Sequence, residues 1–454
     1  MDEKFSSSNS IKPQVVIIGG GIAGMAAACD LLEAAYPVTL VEKRPYLGGR
    51  AFSFLDSQME REIDNGQHIF LGCCTYYTDF LHKLGTFYQT KVQSKTLVNV
   101  LNPDGRKGKL SSTHLPRPFH MLPSFLTYAH LGFRDKIWAL YAFLRIAAAN
   151  RNNPVLETET FGHWLRRHHQ TQRAIDHFWD LIIKPSVNDD LEDVSAATAI
   201  MVFQESLLKN RDSSRIGYSK VGLSNLMGKA AEKYILNRGG QLITGKSVLS
   251  LRTDQRIIES IQLSDGHTVQ GDIYISSLLF DDLLSILPSN LQDHAYFSAL
   301  IKLETAPIVN IHIWYDRPIM EEDFTAFVES PLQWVFNKNS TADYGSHKGQ
   351  HIIVSLSAAF EYISLSKATL EKTFVDAVAD AFPKARSARV LHVSIIKQEK
   401  ATVRCKPGST KLRPHPKTPI ANLLLAGDWT DTGWPSTMEG AVRSGVKTAQ
   451  IIIN

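Results

Sequence analysis

The stretch Val15–Arg50, VVIIGGGIAGMAAACDLLEAAYPVTLVEKRPYLGGR, narrows what this chain can fold into more than any other. Val15-Val16-Ile17-Ile18 is a short β-branched run, the pattern of a strand buried on both faces. Gly19, Gly21 and Gly24 follow at G-x-G-x-x-G spacing and lead into an alanine-rich segment, Ile22 to Ala35, that reads as a helix. A second apolar run, Pro37 to Val41, ends at Glu42. Strand, glycine turn, helix, strand and acid thus succeed one another in the order a dinucleotide site needs. Gly19 permits the tight turn, Gly21 lets the backbone approach a pyrophosphate, and Gly24 lets the helix sit close to the sheet. Ile22 and Ala23 open that helix, whose unpaired N–H groups and positive end suit a pyrophosphate. Glu42, with Lys43 beside it, would accept hydrogen bonds from ribose hydroxyls and disfavour a 2′-phosphate.

Composition enters as a set of exclusions. A chain of 454 residues, 44% hydrophobic and 21% charged, has room for two domains and a large core. A net charge of +4 is too small for a basic binding stripe, so no nucleic-acid partner is expected. Cys29, Cys73, Cys74 and Cys405 form no C-x-x-C pair, and the histidine groupings lack matching carboxylate or cysteine spacing. No metal site is expected, and a reducing, cytoplasmic compartment is. The opening MDEKFSSSNSIK lacks the apolar core of a signal peptide, and no run of about 18 apolar residues occurs that could span a bilayer.

Past Glu42, Lys43-Arg44-Pro45-Tyr46-Leu47-Gly48-Gly49-Arg50 places a glycine pair and an arginine in one loop. This E-(x)5-G-G-R pattern resembles the amine oxidase and carotenoid (phytoene) desaturase superfamily of flavoproteins, in which the loop runs along FAD. Two further motifs sharpen the likeness: Asp64-Asn65-Gly66-Gln67-His68, followed by Ile69 to Cys74, and the C-terminal block Gly427-Asp428-Trp429-Thr430-Asp431 through Thr437-Met438-Glu439-Gly440-Ala441. Together they resemble the hydroxysqualene dehydroxylases, the squalene-associated flavoproteins of hopanoid biosynthesis.

That resemblance implies FAD as cofactor. Gly49 and Arg50 would lie along it, Gly66, Gln67 and His68 near its ring, and the backbone of Val248 against the adenine. Gly427 and Asp428 would meet the ribityl chain, and Thr437, Met438, Glu439 and Ala441 the O2 edge, with Gly440 allowing close approach. A helix N-terminus there would stabilise the negative charge of a reduced flavin.

The fold expected is α/β, a Rossmann-like FAD-binding domain with an inserted α+β substrate domain. Residues 12–97, 215–287 and 418–454 read as the first, and 98–214 and 288–417 as the second. Gln241–Thr244, Ser247–Arg252 and Ile257–Leu263 read as a small antiparallel group within the first. Lys184 to Asn188, with Pro185, reads as a helix break. The apolar segment Phe119 to Ala149 carries few charges and is divided by Gly132, which points to two helices. A helix apolar over most of its circumference is buried or meets lipid. A core helix is the first expectation, and contact with a membrane surface, peripheral on the inner face of the cytoplasmic membrane, is the second.

The implied reaction is reductive removal of the hydroxyl of hydroxysqualene to give squalene. It needs an apolar isoprenoid substrate, a proton donor and an external electron donor, since no second dinucleotide fingerprint is present. Asp64, His68 and Asp431 are the acids in the flavin-proximal motifs. The alternatives are a carotenoid/phytoene-type desaturase, behind it a flavin amine oxidase, and from another class a non-catalytic lipid carrier.

Overall fold

Val15–Ile18 lies at the centre of a five-stranded parallel sheet in the computed structural model, which describes residues 12–254, 256–342 and 349–454. The order is Gln241–Thr244, Val38–Glu42, Val15–Ile18, Ile273–Ser276, Leu423–Leu425, every neighbour parallel. All four residues of the central strand are buried, as a β-branched run between two layers requires. The helix Ile22–Glu33 leads off the sheet, and the last helix, Met438–Ile453, packs directly against it. A Cβ on Gly445 would stand 2.2 Å from the Ala23 carbonyl oxygen, so the two helices meet at glycine distance. This contact brings the two ends of the sequence, and their motifs, into one place.

The second sheet has seven strands in the order Val390–Val403, Thr305–Tyr315, Gln350–Leu356, Trp334–Asn337, Phe324–Phe327, Leu97–Leu101, Lys107–Ser111. It is antiparallel except where Phe324–Phe327 runs parallel to Leu97–Leu101. Along Thr305–Tyr315 the two-residue period separates two surfaces. Val309, Ile311, Ile313 and Tyr315 form a core with Leu370, Phe374 and Val378 of the helix Lys367–Ala381. Asn310, His312 and Trp314 face the other way, toward the hairpin Ser53–Asp56/Arg61–Asp64, where His392 bonds Asp56 and Asn310 bonds Asn65. A mixed α/β molecule results, with a five-stranded parallel sheet and a seven-stranded mixed sheet.

Several local readings change. Gln241–Thr244 belongs to the parallel sheet; only Val248–Thr253, Ile258–Leu263 and Thr268–Val269 form the antiparallel group. The helix Lys229–Asn237 is the crossover that delivers Gln241 beside Thr39, a long-range pairing that strand propensity does not encode. Leu97–Leu101, split by the expected boundary at 97/98, lies wholly in the seven-stranded sheet. The helix Asp180–Val187 continues through Pro185 and stops at Asn188, which takes a left-handed φ of 55°. The reading of the opening segment falls on residues 1–11, outside the described residues. Among the described residues no helix is long and apolar enough to cross a membrane.

Candidate cofactor and active site

At the nucleotide end, β-strand and helix are joined by glycines whose roles the geometry separates. Gly19 has φ +105°, and a Cβ on Gly24 would lie 2.2 Å from the Gly19 carbonyl oxygen, so neither position tolerates a side chain. Gly21 is the N-cap of the helix; a Cβ there meets nothing nearer than Gly49 Cα at 3.9 Å. No side chain caps this helix, and its first turn has no acid. Ile22, Ala23 and Gly24 therefore present a bare, positively polarised helix start beside an open backbone, which fits a pyrophosphate. Glu42 is buried; one carboxylate oxygen accepts from Gly20 N–H at 2.6 Å and the other from Arg44 N–H at 2.9 Å. It ties the glycine turn to the next loop and retains lone pairs for ribose. Lys43 is exposed and paired with Asp282. Val248 begins a strand two residues after Lys246, whose N–H bonds the Glu42 carbonyl.

At the other end the N- and C-terminal motifs are clamped together. The Arg50 guanidinium pairs with the Asp428 carboxylate and donates to the Ala401 carbonyl at 2.9 Å. Ser436 donates to the second Asp428 oxygen, while Gly427 N–H bonds Ser444 Oγ at 2.8 Å. Gly49 stands against Gly21: a Cβ on Gly49 would come within 2.8 Å of Gly21 Cα. The start of the last helix is capped by Thr437, whose Oγ1 accepts from Gly440 N–H at 3.2 Å. Two neighbours have partners within the protein itself. Gly440 is required by its own loop, since a Cβ would strike the Pro435 carbonyl oxygen at 2.5 Å. The Glu439 carboxylate accepts from Tyr76 and Tyr77 N–H and from Arg443, and burial raises its pKa. Met438 and Ala441 flank it on the same first turn, with Ala441 buried.

Asp64-Asn65-Gly66-Gln67-His68 runs between these clamps. The Asn65 side chain donates to the Arg50 carbonyl at 2.9 Å, and its Oδ1 accepts from Phe52 N–H at 3.2 Å, binding the motif to the G-G-R loop. Gly66 packs on Asn310, with only 2.5 Å between a hypothetical Cβ and Nδ2. Asp64 is buried and its Oδ1 accepts from Ser53 Oγ and Leu223 N–H, both at 2.8 Å. The residue that sequence reasoning missed is Lys338. It follows the strand Trp334–Asn337, is 2% exposed, and sets its ammonium 3.5 Å from Asp64 Oδ2 and 3.3 Å from Gln67 Oε1. His68 is half-buried beside this pair; desolvation lowers its pKa, with Lys338 acting in the same direction and Asp64 opposing. Its imidazole is neutral at pH 7. Asp431 does not join them: it is exposed, its N–H donates to the Pro414 carbonyl and its own carbonyl accepts from Lys447 Nζ, because its place in the motif fixes the chain path and not the side-chain direction.

The polar face of Thr305–Tyr315 backs the site. His312 Nδ1 lies 3.0 Å from His351 Nε2, and Trp314 stacks on His351 with centroids 4.1 Å apart and on His392 at 5.0 Å. Asn310 Oδ1, His312 Nε2 and Trp314 Nε1 are buried without a hydrogen-bond partner among the described residues, an uncommon set of orphans for a site with no polar ligand. Burial, reinforced by Lys338, drives His312 down to about 3 and also pulls His351 well below its usual range. Both rings are neutral in the fold but gain protons near pH 6.5 when unfolded. Stability is therefore full above about pH 6.5 and falls toward pH 3, by about 1.4 kcal/mol per unit for each such group. Urea unfolding at pH 7 and pH 5 is expected to show this loss, with a shallower slope in His312→Gln; equal slopes would contradict it.

Elsewhere Asp189, Asp190 and Asp193 converge, but Arg404 and Lys184 neutralise them.

Comparison with known proteins follows the same lines. The probable zeta-carotene desaturase of Synechococcus elongatus is 25% identical over 97% of this chain and 98% of its own length. The 15-cis-phytoene desaturase of Glycine max is 25% identical over 99% of this chain and 81% of its own. Among solved structures, an oxidoreductase from Methanosarcina mazei superposes with a TM-score of 0.74 at 16% identity, over 96% of this chain and 100% of that one. Putrescine oxidase bound to putrescine gives 0.73 at 15%, over 97% and 99%. A family model described as flavin containing amine oxidoreductase matches residues 22–453, almost the whole chain. The glycine cradle, the bare helix start and the two clamped motifs fit FAD, and the chain belongs to the flavin containing amine oxidoreductases, as an FAD-dependent oxidoreductase.

Proposed function

We propose that the chain desaturates a long apolar isoprenoid of the carotenoid class, with His68 taking the proton. The observation that carries this reading is the placement of His68, next to Gln67, beside the buried Asp64–Lys338 pair, where burial favours its neutral form. Bound FAD supplies the two-electron acceptor for a hydride from one carbon. The protein's own task is to remove a proton from the neighbouring carbon, and a neutral imidazole nitrogen can accept it. Asp64 and Lys338 set how readily that nitrogen holds the proton, one favouring and the other opposing the charged form. The surroundings suit an apolar chain: Ile69 and Leu71, just after His68, and Trp434, shortly before Thr437, belong to the same apolar core as Phe125, Phe178 and Trp179. The relatives named for zeta-carotene and phytoene support the same substrate class.

A second reading, reductive dehydroxylation of hydroxysqualene with an external electron donor, is favoured by the Lys338 ammonium, a proton-bearing group 3.5 Å from Asp64 in the D-N-G-Q-H segment. The two run the flavin in opposite directions. Purified chain with oxidised FAD is expected to convert phytoene or zeta-carotene to a product with a longer conjugated system. Squalene formed from hydroxysqualene with reduced FAD, and no conjugated product, would replace the first reading by the second.

A further inference from the structure

We infer that the surface built on the helix Phe133–Ala148 seats the protein on an anionic phospholipid bilayer. The helix carries two apolar stripes. Ala139, Ala142 and Ile146 form the inner one and are fully buried in the core with Phe125, Phe178 and Trp179. The outer one is Phe133, Ile137, Tyr141 and Leu144, spaced four, four and three residues apart on one face. These four are 79%, 49%, 38% and 70% exposed. A folded chain does not leave such a ridge bare without a use for it. Leu126, itself half exposed, is fixed to the same helix, because Lys136 Nζ donates to its carbonyl at 2.7 Å.

Charge selects the partner. Residues 106–156 hold eight lysines and arginines and a single carboxylate, while the whole chain carries only +4. That carboxylate, Asp135, is buried and spent on Gly132 N–H and Thr171 Oγ1. Arg134 and Arg145 stand exposed beside the ridge. At its far end Arg117 donates to the Lys209 carbonyl, and Lys209 and Arg151 gather on Glu205, whose neighbour Gln204 bonds the Ile146 and Ala149 carbonyls. An apolar ridge rimmed by basic groups matches acyl chains below anionic headgroups. A second copy of the chain is a poorer partner, since pairing this face with itself opposes like charges. At 16 residues the helix lies in the interface plane and does not cross it.

The test is co-sedimentation of the FAD-loaded chain with vesicles of phosphatidylcholine alone and of phosphatidylcholine mixed with phosphatidylglycerol. Binding to the mixed vesicles is expected, weakened by salt, and reduced at least about tenfold in Phe133→Glu/Leu144→Glu. Both side chains are exposed, so flavin content and circular dichroism of the variant should match the parent and separate lost docking from lost folding. Unchanged binding by the double variant overturns the inference, as does a parent that sediments with neither vesicle. Concentration-dependent dimers that the double variant dissolves, without vesicle binding, would also overturn it in favour of a second copy.

Discussion

Replacing His68 by glutamine is expected to lower turnover of the isoprenoid about 10²- to 10⁴-fold with FAD still bound, the range for losing a positioned general base. In the parent enzyme the base form of His68 is present above its lowered pKa, so the rate should climb with pH below about 6.5 and be flat above it. Glutamine keeps a polar side chain of similar reach but does not titrate, and the acid limb should vanish. The neighbours supply a signature that a structural role for His68 lacks. Asp64 favours the protonated imidazole and Lys338 disfavours it, so Asp64→Asn should move the limb to lower pH and Lys338→Met to higher pH. Measuring kcat and kcat/KM against pH for the parent and these three variants decides it. Limbs that move together, or an unaltered profile in His68→Gln, would remove His68 from the chemistry.

Asp428→Ala is expected to weaken FAD binding about 30- to 150-fold, equivalent to about 2–3 kcal/mol. The carboxylate is nearly buried and joins Arg50 of the glycine-pair loop to Ser436, which in turn accepts from Val403 N–H at 3.0 Å. Its removal leaves the guanidinium without its counter-charge and frees the loop that Asn65 also holds. The figure sits below the full range for breaking a buried pair because Arg50 is about a third exposed and water relieves part of the loss. Asp428→Asn, which keeps an acceptor, should fall between. Flavin fluorescence titration of the apoprotein reads the dissociation constants, and equal values for all three proteins would separate this clamp from the cofactor.

What could be read from the residues alone follows the range over which each signal acts. The Gly19–Gly24 turn and the strand before it are local: their geometry depends on neighbours within a few residues, and the structure explains each glycine by a φ value or a clash. Lys338 was invisible because a lysine between two asparagines carries no mark of burial; its partner Gln67 is 271 positions away. Asp431, which is exposed, shows the converse, since lying in a conspicuous motif says nothing of where a side chain points. Gln241–Thr244 had the composition of a strand, yet its sheet was decided by a helical crossover and not by its own residues. The helix Phe133–Ala148 was legible as apolar, but periodicity cannot tell a stripe covered by protein from one left open.

Anaerobic mixing of the FAD-loaded chain with zeta-carotene or phytoene, followed by flavin absorbance, tests the proposed function most directly. Bleaching of the oxidised flavin in step with new conjugated double bonds is the predicted result. A flavin that stays oxidised with both polyenes, yet is reduced by a primary amine, would contradict it.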